Sequence, residues 1–363
     1  MPPFLDIAYR KELINMKATL YEIAKKAGVS ISTVSRALNN DKSKPVSKST
    51  AEKILKIAYE VGYLSPEPAG SKPFSAGTQK SHTLLCLLSN TVFNYNDYFY
   101  TEIINGIEEE AVFHGYQLSK LLSSTELDSA TTRRVLEKKN YDGVILLGRF
   151  EKPKVEFIKT CTSNIIYAGL NRINAGFDEV ICDAYDAVNS IVDYLVGCGH
   201  RHLGFIGLMT DESASGVNEH RFTAYKDALA RHKLPLELGY CKNVELKSDL
   251  AYHAAMELAK GKQLPDAIVC ATDYIAIAVI SALRNCGIRV PEDVSVVGHD
   301  DMDLSEFMEP KLTTTNMQQG ELGKFAVKIL IDRINGRHQI PVLVKLPFKL
   351  KIRDSCRERK GDG

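Results

Sequence analysis

From Thr83 onward, short apolar and β-branched runs alternate with helical segments, and no other feature of the 363 residues restricts the fold so tightly. Strands are expected at 83–88, 143–147, 164–168, 202–206, 267–271 and 294–297, with helices at 102–114, 185–198, 221–232, 250–259 and 275–286 between them. Strand, helix and strand repeated this often predict doubly wound parallel sheets buried on both faces, because each parallel crossover lays a helix over the sheet. Such sheets bind ligands beyond the carboxyl ends of their strands, so the loops that follow the strands are the candidate site.

Residues 19–63 follow a different pattern. Thr19 with Glu22 three residues on is a capping box, and Leu20, Ile23, Ala24 and Ala27 recur on one helical face. Gly28 ends that helix, and Ser30 is placed to cap a second one over 31–38. On it Val34, Ala37 and Leu38 face inward, which leaves Ile31, Ser32, Thr33, Ser35 and Arg36 outside. A polar loop then leads through Val46 and Ser47 to a third helix, with Ala51, Ile54, Leu55, Ala58 and Val61 on its apolar face and Gly62 as its stop. Small hydroxyls and one guanidinium on the outward face of the second helix are the chemistry of a recognition helix, so this all-α unit reads as a helix-turn-helix DNA-binding headpiece.

Charge agrees with that reading. Between 16 and 64 nine lysines and arginines stand against four acids, although the whole chain carries only +1. Phosphate contact is therefore expected at this end alone. Residues 65–82, rich in proline and glycine, read as a linker. Residues 1–15 show no pattern, and the codons of Lys11-Glu12 can form a ribosome-binding sequence ahead of Met16. The expected organisation is a non-native leader at 1–15, a headpiece at 16–64, a linker at 65–82, a ligand-binding and dimerisation body at 83–353 and a tail at 354–363.

Several function classes are disfavoured. The eight cysteines are scattered, with no short paired spacing for zinc or redox work, and His200 and His202 at a strand start read as solvent and backbone contacts. No Walker A sequence, G-x-S-x-G elbow or metal-ligand cluster is present, so no enzyme, cofactor or metal is expected. No apolar run reaches the roughly 20 residues that span a bilayer and no signal peptide is evident, which places the protein in the cytoplasm with no membrane partner.

The motif Ala24-x-x-Ala27-Gly28-Val29-Ser30-x-x-Thr33-Val34-Ser35-Arg36-x-Leu38-Asn39, followed by Val46-Ser47 and Gly62-Tyr63, resembles the headpiece of the lactose- and galactose-repressor family of bacterial regulators. Gly199-His200-Arg201, Arg221-Phe222-x-x-Tyr225, Asp273-x-x-Ala276, the run from Gly287 through Gly298 and Leu312-Thr313-Thr314 extend the likeness through nearly everything after Met16. Details look closest to the galactose and β-galactoside branch. The resemblance implies a periplasmic-binding-protein-like body of two subdomains with three crossovers, 83–176 in the first half and 177–302 in the second. A helix at 318–335 would return to the first half and a last strand near 342–350 to the second.

It also implies an operator-binding homodimer controlled by a small sugar, dimerising through the helices that contain Ile103 to Glu110 and Ala276 to Cys286. For DNA it puts Ile31, Ser32 and Arg36 at base-reading positions, and Leu20, Tyr21, Ser30, Thr33, Ser35, Asn39 and Ser47 near the backbone. Arg36 carries most of the expected discrimination, since its planar fork binds guanine bidentately. For the sugar it implies Arg221, Asp273 and Asp300, with Asn171 as a further candidate. Tyr98, Phe99 and Tyr100 sit where aromatic faces can stack on a ring. Aromatics at helix starts are also commonly core, and Asp273 or Asp300 can instead cap a helix.

Three departures from the family pattern stand out. The loop over 39–46 is about two residues longer than usual. Residues 65–74, SPEPAGSKPF, contain Pro68 and Gly70 and no leucine, so no standard hinge helix is expected. Thr272 and His299 replace a usual amide and aromatic, which leaves the sugar open. The tail has no leucine heptad, so a dimer rather than a tetramer is expected. The alternative reading is a cytoplasmic sugar-binding protein without DNA function.

Overall fold

The computed structural model describes residues 20–30, 33–34, 46–60, 81–89, 98–121, 130–148, 150–209, 219–261 and 263–359. The chain divides into two compact units, residues 1–78 and 79–363.

In the first unit α1 (Leu20–Ala27) packs on α2 (Lys48–Glu60). Ile23, Ala24 and Ala27 from α1 meet Val34, Ile54, Ile57 and Ala58 in a small core. Gly28, at φ +72°, ends α1 in the left-handed conformation glycine tolerates, and the N–H groups of Gly28 and Val29 both return to the Ala24 carbonyl.

The second unit holds two parallel sheets. Its first half contains β1 (Thr83–Leu88), α3 (Tyr98–Phe113), β2 (Gln117–Leu121), α4 (Ala130–Lys138), β3 (Gly143–Leu147), α5 (Lys152–Cys161), β4 (Ile165–Gly169) and β5 (Asp178–Ile181). The second half runs through α6 (Ala184–Gly197), β6 (Leu203–Gly207), α7 (Arg221–Arg231), β7 (Cys241–Asn243), α8 (Ser248–Ala259), β8 (Ala267–Cys270), α9 (Asp273–Asn285), β9 (Ser295–Val297) and α10 (Leu304–Phe307). After β10 (Thr314–Asn316), α11 (Gln319–Ile334) and β11 (Leu343–Lys345) rejoin the first half, and β12 (Lys349–Lys351) pairs antiparallel with β10. The sheets run β11-β5-β4-β3-β1-β2 and β7-β6-β8-β9.

Double coverage explains the strand sequences. Leu84 and Cys86 of β1 enter the core under α3 and α11, while Leu85 and Leu87 enter the opposite core under α4 and α5. A strand buried on both faces needs no polar alternation, and β1 and β3 occupy the expected residues.

Several expected boundaries move. The first half extends through β5, so the first crossover lies at 182–184 rather than 176–177, and the others fall at 316–319 and 346–349. The single last strand expected near 342–350 is two strands: β11 joins the first half beside β5, and only β12 leaves it. The presumed tail continues the second half, since Ser355 is fully buried, the Val296 N–H donates to its carbonyl and its hydroxyl donates back to Val296.

Helices α3 and α11 approach so closely that only glycine fits between them. A Cβ on Gly323 would lie 2.2 Å from the Ile103 carbonyl oxygen, and one on Gly106 2.0 Å from that of Gly320. Gly323→Ala is therefore expected to lower the thermal midpoint, because overpacking against backbone costs about 1–3 kcal/mol and outweighs the roughly 1 kcal/mol alanine adds to a helix. An unchanged or raised midpoint would contradict this packing.

Candidate functional site

On the headpiece, Ser30 and Ser47 begin helical turns. Each hydroxyl accepts the N–H three residues on, from Thr33 at 3.1 Å and from Thr50 at 3.3 Å, and both side chains are exposed. Thr33 is half-buried with its hydroxyl 2.8 Å from that of Ser30, whereas Val34 fills the core. Lys25, Lys26 and Lys56 are exposed, and the exposed Lys53 donates to the Ala27 carbonyl at 2.9 Å. Leu20 and Tyr21 open α1, but their side chains lie outside the described residues, as do Ile31, Ser32, Ser35, Arg36 and Asn39. The expected missing hinge helix and lengthened loop fall outside them too.

In the body, the carboxyl end of the second sheet leads to Arg221, which contacts the Ala271 carbonyl just beyond β8. This first residue of α7 is 2% exposed, and its fork closes on Glu219, also 2% exposed, through Nε to Oε1 at 2.7 Å and Nη2 to Oε2 at 2.6 Å. Nη1 donates to the Ala271 carbonyl beyond β8. Burial alone would lower the guanidinium's pKa, yet Glu219, Asp300 and Tyr100 hold it above its ordinary value. Arg221 thus lies within electrostatic reach of Tyr100 from the first half and Asp300 from the second. Among the described residues three of its five N–H groups are engaged, one from Nε, one from Nη1 and one from Nη2.

Asp300 is 7% exposed with φ at 116°, followed by Asp301 at 52°, a backbone that L-residues rarely adopt and that is found at functional sites. Its N–H donates to the Thr315 carbonyl at 3.0 Å, and its own carbonyl accepts from Gln319 at the start of α11. Asp300 also acts on Cys182 at the first crossover, whose thiol is pushed up chiefly by burial. That thiol donates to the Met317 carbonyl at 2.7 Å, tying two crossovers together. Beside them His299 is fully buried, with Nδ1 on the Thr315 hydroxyl and Nε2 without a hydrogen-bond partner among the described residues. Burial first, and then the Arg221 guanidinium, push its pKa down to about 3, so the ring is neutral at physiological pH.

Two expected ligand groups turn into the fold instead. Asp273 is 1% exposed, and it accepts from the Met302 N–H at 2.9 Å, the Ser305 hydroxyl at 2.6 Å and the Thr314 hydroxyl at 2.6 Å, while the cap of α9 is Thr272. Burial raises its pKa against those three bonds. Phe99, 3% exposed, joins the α3–α11 core with Tyr100 edge-on against it, and Tyr100 remains partly exposed. Tyr98 opens α3, its side chain outside the described residues. Asn171 is 5% exposed at the loop after β4 and lines a cavity with His220. Sequence reasoning missed Glu219, whose only signal is its place two residues before Arg221.

Comparison with known proteins agrees with both units. Residues 19–65 match the model for bacterial regulatory proteins of the lacI family, and residues 192–356 that for a periplasmic binding protein-like domain. The HTH-type transcriptional repressor CytR of Escherichia coli K12 is 31% identical over 354 residues, covering 94% of this chain and 96% of CytR. The repressor PurR of Haemophilus influenzae is 29% identical over 326 residues, covering 89% and 93%. Among solved structures, the transcriptional regulator CelR in complex with cellobiose superposes with a TM-score of 0.68 at 26% identity, covering 93% of this chain and 99% of that one.

Proposed function

The chain belongs to the LacI family of bacterial regulatory proteins and is a DNA-binding transcriptional regulator, and from that premise we propose a repressor of sugar-utilisation genes whose operator affinity is set by a small sugar. The observation that carries the effector part is the Arg221–Glu219 pair, held beside strained Asp300 where three crossovers join the halves. Arg221, Asp300, Asn171 and Tyr100 are the contacts this reading assigns, and galactose or a galactoside is the first ligand to try. CelR binds cellobiose in its solved complex, which supports a sugar as the ligand class.

A ligand that bridges the halves binds their closed arrangement better and so shifts its population. In a homodimer that motion alters the spacing of two headpieces, and Arg36 is the base reader this reading assigns. Exposed Phe307, at 80%, and Phe113, at 69%, are apolar groups for a second copy to cover. Ile103 and Ala276 face the core, so any such contact uses the outer sides of α3 and α9.

A gel shift with DNA upstream of its own and neighbouring genes is expected to show a retarded complex whose midpoint moves with one sugar of a panel. Failure to bind any of that DNA would overturn the repressor reading. Operator binding that no sugar alters would overturn the effector assignment alone.

A further inference from the structure

Beside the Arg221–Glu219 pair lies a cavity of about 270 Å³ whose walls come from both halves. Asn171, Arg172 and Asn174 from the loop after β4, and Asp183 after β5, face Tyr185 at the start of α6 and His220 just before α7. Most charge and hydrogen-bonding capacity in that wall is already committed. The Asp183 carboxylate accepts the Asp186 N–H at 3.1 Å and lies 2.7 Å from the Lys345 ammonium, which Asp186 also holds. The Tyr185 hydroxyl donates to Asp227 at 2.8 Å.

Arg172 is different. It is exposed in the cavity wall and, among the described residues, has neither an ion pair nor a hydrogen bond. Within the lining it is therefore, among the described residues, the cation that no carboxylate contacts, whereas Arg221 next door is paired with Glu219. A neutral sugar uses a guanidinium only as a hydrogen-bond donor. A carboxylate or phosphate engages the whole planar fork with two parallel charge-assisted bonds.

We propose that the effector of this protein carries an anionic group, a carboxylate or a phosphate, received by Arg172 in the cavity between the halves. This rests on the reading of the cleft as an effector site and adds the ligand's class. The sugar ring lies toward Arg221 and Asp300, and the acid lies toward the Asn171–Asn174 loop.

Isothermal titration of the full chain with a panel of neutral hexoses, their 6-phosphates and their uronic acids tests the proposal and separates phosphate from carboxylate. One acid-bearing compound is expected to bind about tenfold to hundredfold more tightly than its neutral parent, as charged hydrogen bonds do. Arg172→Gln should remove that preference and Arg172→Lys retain part of it, both with the unliganded thermal midpoint of the parent. Inorganic phosphate alone should raise the midpoint of the parent and not that of Arg172→Gln. A neutral hexose that binds as tightly as its acid, or a preference that survives Arg172→Gln, overturns the proposal and leaves the sugar reading standing. Binding of no compound in the panel overturns both, while operator binding is judged separately by the gel shift.

Discussion

Arg221→Ala is expected to destabilise the body by about 3–5 kcal/mol, because it leaves the Glu219 carboxylate buried without its counter-charge. The Glu219 side chain is 2% exposed, and its carboxylate accepts from the Arg221 backbone N–H at 3.0 Å as well as from Nε and Nη2. Glu219→Ala should cost a comparable amount by stranding the guanidinium, although the Ala271 carbonyl remains as one acceptor. The double variant should be less unstable than the sum of the two, since neither charge is then left alone. Calorimetric unfolding of the four proteins measures this coupling, and strict additivity would sink the account of the pair as a unit. Under the proposed effector reading Arg221→Ala should also abolish the response to the sugar, and a body that is stable yet unresponsive would assign Arg221 to the ligand more than to the fold.

The legibility of this chain followed burial. Strands β1 and β3 were readable to the residue because parallel strands covered on both faces become unbroken apolar runs. Strand β5 was not, because its four residues begin with Asp178 and Glu179, both buried. Two acids read as a loop until their partners are known: Arg333, far along the chain, for Asp178, and the nearby Ile173 N–H for Glu179 at 2.8 Å. Strands β11 and β12 merged in the sequence reading because their apolar pattern runs on through 342–350, although Pro347 between them marks the break.

Motif position pointed to Arg221, Asp273 and Asp300 alike, but it could not decide which way a side chain faces. An acid at the first turn of a helix and an aromatic at a helix start have the same sequence signature whether they meet a ligand or the fold. Asp273 turned to Ser305 and Thr314, and Phe99 to the core under α3 and α11. Arg172 illustrates the converse: an ordinary loop arginine becomes informative only when its neighbours' charges are seen to be paired.

Asp178→Asn is expected to destabilise the first half by about 3 kcal/mol or more at neutral pH, since it removes the charge that holds three separate segments together. The buried Asp178 carboxylate receives Arg333 from the end of α11 at 2.6 Å, the His338 ring at 2.9 Å and the Val342 N–H at 2.8 Å just ahead of β11. It therefore pins the returning helix and the edge strand β11 to β5. Burial by itself would raise the carboxyl's pKa, but the bonds from Arg333, His338 and Val342 prevail and hold it below the ordinary value of 3.8. A group whose folded pKa is depressed contributes stability that is fully present above its unfolded pKa and is lost as pH falls through the folded one. The stability difference between parent and Asp178→Asn should accordingly shrink as pH falls below about 4. Urea unfolding from about pH 5 downward reads it, and taking the difference cancels the titrations of groups that do not touch Asp178. A difference that stays flat to the lowest pH would mean that the asparagine fails through geometry rather than charge. If the clamp is electrostatic, acid should free β11 from β5, and with it the second and third crossovers that flank the Arg221 site.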